Sequence, residues 1–204
     1  LGMKQSKAVL IFLLPLAPIF LFLLPYLFVR LGSGIDHWLH WPQILPLPYN
    51  FILGGLLILP GGVFAMWSIY SQFTLGRGTP VPLVATQQLI IQPPYTYCRN
   101  PMALGTILVY LGAAVLFHSP GGFVVVLLFS GLLLFYIKRV EEKEMVLRFG
   151  SPYLAYKKRT PFIFLTLLQA PGRIIPNNQR REFNDWETKK PRQNVVCLSL
   201  IHIT

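Results

Sequence analysis

Ahead of an apolar run, the chain gathers Tyr95, Tyr97, Cys98, Arg99, Asn100, Pro101, Met102, Ala103, Leu104 and Gly105. Asparagine is favoured at the position that caps a helix and proline at the first position inside it, so an apolar helix is expected to start at Pro101. The first amides of such a helix lack partners and carry the positive end of its dipole, which suits a carboxylate or a phosphate. Arg99 places a guanidinium at the same point. Further along, Glu141 and Glu142 leave a second apolar block and could receive an ammonium group or sugar hydroxyls. One anion-binding and one cation-binding pole together suit a zwitterionic or amino-acid-bearing ligand.

Each of these residues also has a plainer reading. Arginines beside membrane spans commonly mark only a boundary. Lys138 with Glu142, and Glu144 with Arg148, stand four apart and can be surface pairs on a helix. Successive helical residues point about 100° apart, so Glu141 and Glu142 cannot both face one pocket equally. Tyr95, Tyr97, Tyr153 and Tyr156 can form an aromatic belt. Cys98 has no histidine in its motif to activate it. His37 and His40 are three apart but have no third ligand nearby, so they read as interfacial and no metal is expected. The glycines Gly76 and Gly78 are not followed by the lysine and hydroxyl of a phosphate loop, and no catalytic triad, HExxH or dinucleotide loop is present.

The elements that position these groups are apolar blocks near the roughly 20 residues needed to cross a hydrocarbon core. Residues 8–29 read as a first span, bent by Pro15, Pro18 and Pro25. An irregular loop over 31–50 follows, with Gly32 and Gly34 as breakers and Trp38, Trp41 and Tyr49 at the interface. A second span covers 51–70, with Pro60, Gly61 and Gly62 expected to loosen or break it unless neighbouring helices satisfy the freed carbonyls. After a loop over 71–100, a third span runs over 101–117. Ser119 to Gly122 make a tight turn, and a fourth span over 123–137 continues without a breaker through Arg148. The fold expected is therefore an all-α integral membrane bundle of about four transmembrane helices, with a cytosolic extension of the last helix and an interfacial C-terminal segment. Residues 1–168 form the membrane-embedded domain and residues 169–204 a polar, basic tail.

Composition agrees with this. The 204 residues are 53% hydrophobic and 12% charged, with a mean hydropathy of +0.54, outside the range of ordinary soluble domains. The net charge of +11 could suggest nucleic acid, but the basic residues flank apolar blocks or lie in the tail. Orientation and anionic lipid explain them, and no nucleic-acid partner is expected. Lys4, Lys7, Arg77, Arg99 and every lysine and arginine from Lys138 onward share one side of a four-span bundle, and only Arg30 lies opposite. That side is the cytosol, of a multi-pass protein in a bacterial-type inner membrane. The first block is too long for a signal peptide and lacks a cleavage site. Cys98 and Cys197 are too far apart in pattern to suggest a disulfide framework or zinc. Leu198 to Ile203 read as a translated adaptor, so Cys197 and His202 are set aside.

The pattern resembles the isoprenylcysteine carboxyl methyltransferases and their phospholipid N-methyltransferase relatives. The resemblance rests on three ordered parts. They are Gly76, Arg77, Gly78, Thr79, Pro80; then Pro94, Tyr95, Tyr97, Arg99, Asn100, Pro101, Met102, Leu104, Gly105; then Glu141, Glu142, Leu147, Phe149, Gly150, Tyr153, Tyr156, Pro161. It implies S-adenosylmethionine as methyl donor, bound at the cytosolic face between the Arg99 turn and the glutamates. It further implies that Asn100, Pro101, Leu104 and Gly105 shape the cofactor pocket, that Glu141 or Glu142 holds a polar group of the cofactor, and that Tyr97 and Tyr153 wall it. Arg99 would orient the cofactor or the acceptor carboxylate. The acceptor would be lipidic or membrane-partitioned and enter from the bilayer. The family commonly has tyrosine where this chain has Ala103, so a hydroxyl contact is absent. Two other readings stay open: a nicotinamide-dependent reductase of a related membrane bundle, which binds NADPH, and a non-enzymatic membrane protein, which binds neither nucleotide.

Overall fold

The computed structural model describes residues 18–42, 46–75 and 88–163. The glycine loop around Arg77, the apolar stretch before position 18 and the tail from position 164 lie outside the described residues. The described residues are mostly helical, with no strand among them. A π-helical turn, Ile19–Leu23, leads into α1, Leu24–Leu39; α2 is Tyr49–Thr74, α3 Pro101–Leu116 and α4 Pro120–Tyr136. A second π-helical turn, Ile137–Glu141, joins α4 to α5, Glu142–Phe149, and α6 is Ser151–Arg159. Three helical runs are long and apolar enough to cross a membrane, namely Ile19–Leu39, Tyr49–Thr74 and Pro120–Phe149, and the apolar α3 is shorter. Outward residues such as Leu59, Val63, Leu128 and Leu132 are exposed. A bundle whose solvent is hydrocarbon has no reason to hide them.

Small residues set the packing. α2 lies antiparallel along α3 and α1 along α4, with α3 and α4 joining the two pairs. Gly61 faces the Gly105 carbonyl and Gly54 the Gly112 carbonyl, each so close that an added Cβ would sit 2.9 to 3.0 Å from the opposing oxygen. In hydrocarbon, where apolar contact alone gives helices little reason to associate, such close backbone approach is what supplies dispersion energy. Asn50, fully buried at the start of α2, donates from Nδ2 to the Leu116 carbonyl at 2.9 Å and fixes the register of the pair.

Three expectations need correction. The loop expected from position 31 is helical as far as Leu39. Gly32 does not break α1; it allows α1 to touch α4, since a Cβ there would lie 1.9 Å from the Gly122 nitrogen. Four residues on, Asp36 accepts from the Gly121 amide and the Ser119 hydroxyl, both at 2.6 Å, and so caps the start of α4 from a different helix. Ser119 to Gly122 accordingly serve as the cap and first turn of α4 rather than a separate turn. The third correction concerns α2, which runs unbroken through Pro60. Pro60 is exposed on the outer face while Gly61 docks on α3, so the missing hydrogen bond falls on the side away from the helix contact.

Beyond α4 the chain doubles back. Gly150 has φ +58°, a conformation that side chains with a Cβ resist, and it separates α5 from α6. This turn folds Tyr153 and Tyr156 against Phe149 and Leu89, with Ile91, Met145 and Val146 around them.

Candidate functional site

The segment of turns before α3 is held by buried polar contacts. Tyr95 is buried, its hydroxyl accepting from Gln72 Nε2 at 2.7 Å and its carbonyl from the Tyr156 hydroxyl at 2.6 Å. Burial pushes the Tyr95 phenol up to about 12, against the opposing effect of the Gln72 hydrogen bond. Cys98 is fully buried, and that burial pushes its thiol up to about 11. Such a thiol is inert as a nucleophile at neutral pH.

Arg99 is the centre of the cluster. Its backbone N–H donates to the Pro161 carbonyl at 2.9 Å, its guanidinium lies 5.4 Å over the Phe162 ring, and Nη1 pairs with Glu142 Oε1. Lys157 Nζ, from α6, takes the other Glu142 oxygen at 2.6 Å. Glu142 is thus buried with both oxygens engaged, flanked by two cations. Burial and the Glu142 carboxylate push the Tyr153 phenol up, while the neighbouring Arg99 guanidinium pulls it down. Arg99 Nε is buried without an acceptor among the described residues, as are Thr96 Oγ1 and Gln72 Oε1 without partners. A buried N–H on a cation that is left unpaired costs free energy, so Arg99 Nε is a donor available to an anionic ligand group.

Not every residue singled out from the sequence stands in this cluster. Asn100 occupies the capping position of α3, but its side chain makes no capping bond and donates instead to the Phe162 carbonyl at 3.1 Å. Pro101 is the first residue of α3 and is fully buried. Tyr97 is half-buried, its ring 6.2 Å from Trp67. Leu104 is half-buried, whereas Gly105 faces α2, where a Cβ would lie 2.6 Å from the Ala65 nitrogen. Its smallness serves the helix contact.

The glutamates are sorted by the π turn. Ile137 and Glu142, both buried, lie five apart and would stand about 140° apart on an α-helix. In the π turn the Glu142 amide bonds to the Ile137 carbonyl, which brings the two residues to one face and leaves Glu141 exposed. Lys157, Gln72 and Phe162 were not singled out for the site from sequence. Lys157 stands in the run Lys157, Lys158, Arg159 and reads there as interfacial charge; only the reversal at Gly150 carries it to Glu142.

A separate cavity of about 520 Å³ lies at the other end of the bundle, among Trp41, Val115, His118, Pro120 and Phe123. Its lining is mostly apolar, with His118 and Ser119 its polar members, and includes no carboxylate. The ion pairs around Glu142 are at the Arg99 end.

The pattern of the phospholipid methyltransferase family matches residues 49–151, from the start of α2 to the first residue of α6, a stretch that contains both Arg99 and Glu142. The chain is also similar to protein-S-isoprenylcysteine O-methyltransferase of Rattus norvegicus, with 30% identity over 146 residues, covering 68% of this chain and 50% of that protein. The chain spans about half the length of that relative. No solved structure matches.

Proposed function

The chain belongs to the phospholipid methyltransferase family, and from that premise we propose that it transfers a methyl group from S-adenosylmethionine to a lipidic, membrane-partitioned acceptor, in the manner of an isoprenylcysteine carboxyl methyltransferase. The observation that carries the reading is the buried Arg99–Glu142 pair at the start of α3, with Arg99 Nε left without an acceptor. An amino-acid moiety presents one carboxylate and one ammonium, and this pair offers one donor and one carboxylate to receive them.

The residues present fit the cofactor. Arg99 Nε and the first amides of α3 would hold its carboxylate, Glu142 its ammonium, and Tyr97 and Tyr153 would wall it. When bound, the cofactor supplies a methyl group already activated by its sulfonium. What remains for the protein is alignment and exclusion of water. Arg99 is suited to alignment because the Pro161 carbonyl, the Phe162 ring and Glu142 hold it from three directions. Tyr153, Tyr156, Phe149 and Leu89 form the apolar cover beside it. The distribution of lysine and arginine supports a cytosolic site, and the exposed apolar helix faces support entry of the acceptor from the bilayer.

The test is transfer of labelled methyl from S-adenosylmethionine into a membrane lipid extract by the full chain in nanodiscs. A thermal-shift comparison of S-adenosylmethionine with NADPH accompanies it. Label in lipid and stabilisation by S-adenosylmethionine are expected. Stabilisation by NADPH alone overturns the reading.

A further inference from the structure

Glu142 has two cationic partners, and they are attached to the fold very differently. The Arg99 side chain is 10% exposed and held by backbone, ring and carboxylate. The Lys157 side chain is 40% exposed, and its ammonium sits at the end of four flexible methylenes on the last turn of α6. Lys157 can therefore swing into water and recover its hydration, whereas Arg99 cannot move without unmaking its packing.

Withdrawal of Lys157 alone would leave a buried carboxylate oxygen unpaired, which is unfavourable. Replacement by another ammonium leaves both the pairing and the charge of the cluster unchanged. α6 itself does not have to leave, because the Tyr156 hydroxyl holds the Tyr95 carbonyl at 2.6 Å and Tyr153 stays packed against Phe149.

We infer that Lys157 is the resident occupant of the cation position on Glu142 Oε2, and that an ammonium-bearing ligand binds by exchange with it. Lys157 is then an internal competitor that sets how strongly the site takes ligands carrying an ammonium. The inference rests on the proposed function, in which S-adenosylmethionine is that ligand. It distinguishes ligands by one group: those with the amino-acid ammonium compete with Lys157, and those without it do not.

The experiment is equilibrium binding of labelled S-adenosylmethionine and of 5′-methylthioadenosine, which lacks the amino-acid moiety, to the full chain in nanodiscs. Lys157→Met and Lys157→Gln remove the competitor and are expected to bind S-adenosylmethionine roughly two- to fivefold more tightly, in line with the modest worth of a part-exposed ion pair. Lys157→Arg keeps a competing cation and is expected to stay within about twofold of the wild type, as is 5′-methylthioadenosine binding in every variant. Binding of S-adenosylmethionine that is unchanged or weaker in both neutral variants overturns the inference, as does an equal gain for 5′-methylthioadenosine. A wild-type chain that does not bind S-adenosylmethionine overturns the proposed function and this inference with it, so the two failures are told apart by the wild-type measurement.

Discussion

Arg99 and Glu142 stand 43 residues apart in the chain and form an ion pair that joins the start of α3 to the start of α5. The pair ties the apolar bundle to the α5–α6 hairpin. With side chains 10% and 6% exposed, it is far enough from water for its loss to be felt in stability as well as in any binding role.

Removing one partner of this pair is expected to be asymmetric. Glu142→Gln strands the Arg99 charge in a buried place, at a cost of about 3–5 kcal/mol. Arg99→Met costs less, since Lys157 still pairs with the carboxylate. The double variant is expected to lose less than the sum of the two. Apparent Tm in detergent measures all three, and additive losses would show that the two side chains are not coupled.

A paired glycine test checks the α1–α4 contact. A Cβ at Gly32 meets backbone of Gly122 at 1.9 and 2.2 Å, which no side-chain rotation can relieve, so Gly32→Ala is expected to cost at least about 1–3 kcal/mol. Gly34, on the same helix, has nothing within 4 Å, and Gly34→Ala is expected to be neutral or to gain up to about 1 kcal/mol from helix propensity. Equal tolerance at both positions would contradict the close approach.

Cys98 and Tyr95, together with the buried Tyr153 and Tyr156, whose phenols burial also pushes up, set an alkaline limit. In the folded chain the thiol rises from 9.0 to about 11 and the phenol from 10.0 to about 12. Below pH 9 both groups are protonated folded or unfolded, so their effect on stability is constant. Above pH 9 the unfolded chain begins to release protons that the folded chain retains, so stability falls until the folded groups titrate near pH 12. Apparent Tm is expected to be flat to about pH 8 and to drop above pH 9, with Cys98→Ala removing the earlier part of the drop. In a Cys197→Ala background, maleimide is expected to label Cys98 only after unfolding, and labelling of that native protein at pH 8 would show the Cys98 thiol to be reachable.

One buried hydrogen bond from α6 reaches the segment that precedes α3. Tyr156→Phe leaves the buried Tyr95 carbonyl without the donor that now lies at 2.6 Å, at a cost of about 1–3 kcal/mol. Faster hydrogen exchange across α6, with α2 and α3 unaffected, is the expected signature. Uniform change across the protein would mean that the bond holds more than α6.

Much of this architecture could be read directly from the residues. Apolar blocks and flanking charges announce membrane helices because helix formation in hydrocarbon depends on local composition and on backbone hydrogen bonds that each segment makes for itself. The start of α3 falls at Pro101, as Asn100 and Pro101 foretell, because a proline that lacks an N–H fits the first turn of a helix. The same local rules mislead at Gly32 and Pro60, where the decisive partner is another helix. Gly32 reads as a breaker alone and as a contact point once α4 lies against it.

The site shows the division most clearly. Sequence alone determined that a helix start at Pro101, an arginine and a pair of glutamates stand at the ends of successive apolar blocks. Only the tertiary structure decided that Glu142 and not Glu141 faces Arg99, that Lys157 joins them, and that Gly105 serves helix packing. The physical reason is cumulative rotation and long-range return of the chain. One π turn at Ile137–Glu141 reorients the side chains that follow it, and one left-handed glycine at Gly150 brings α6 back onto the bundle.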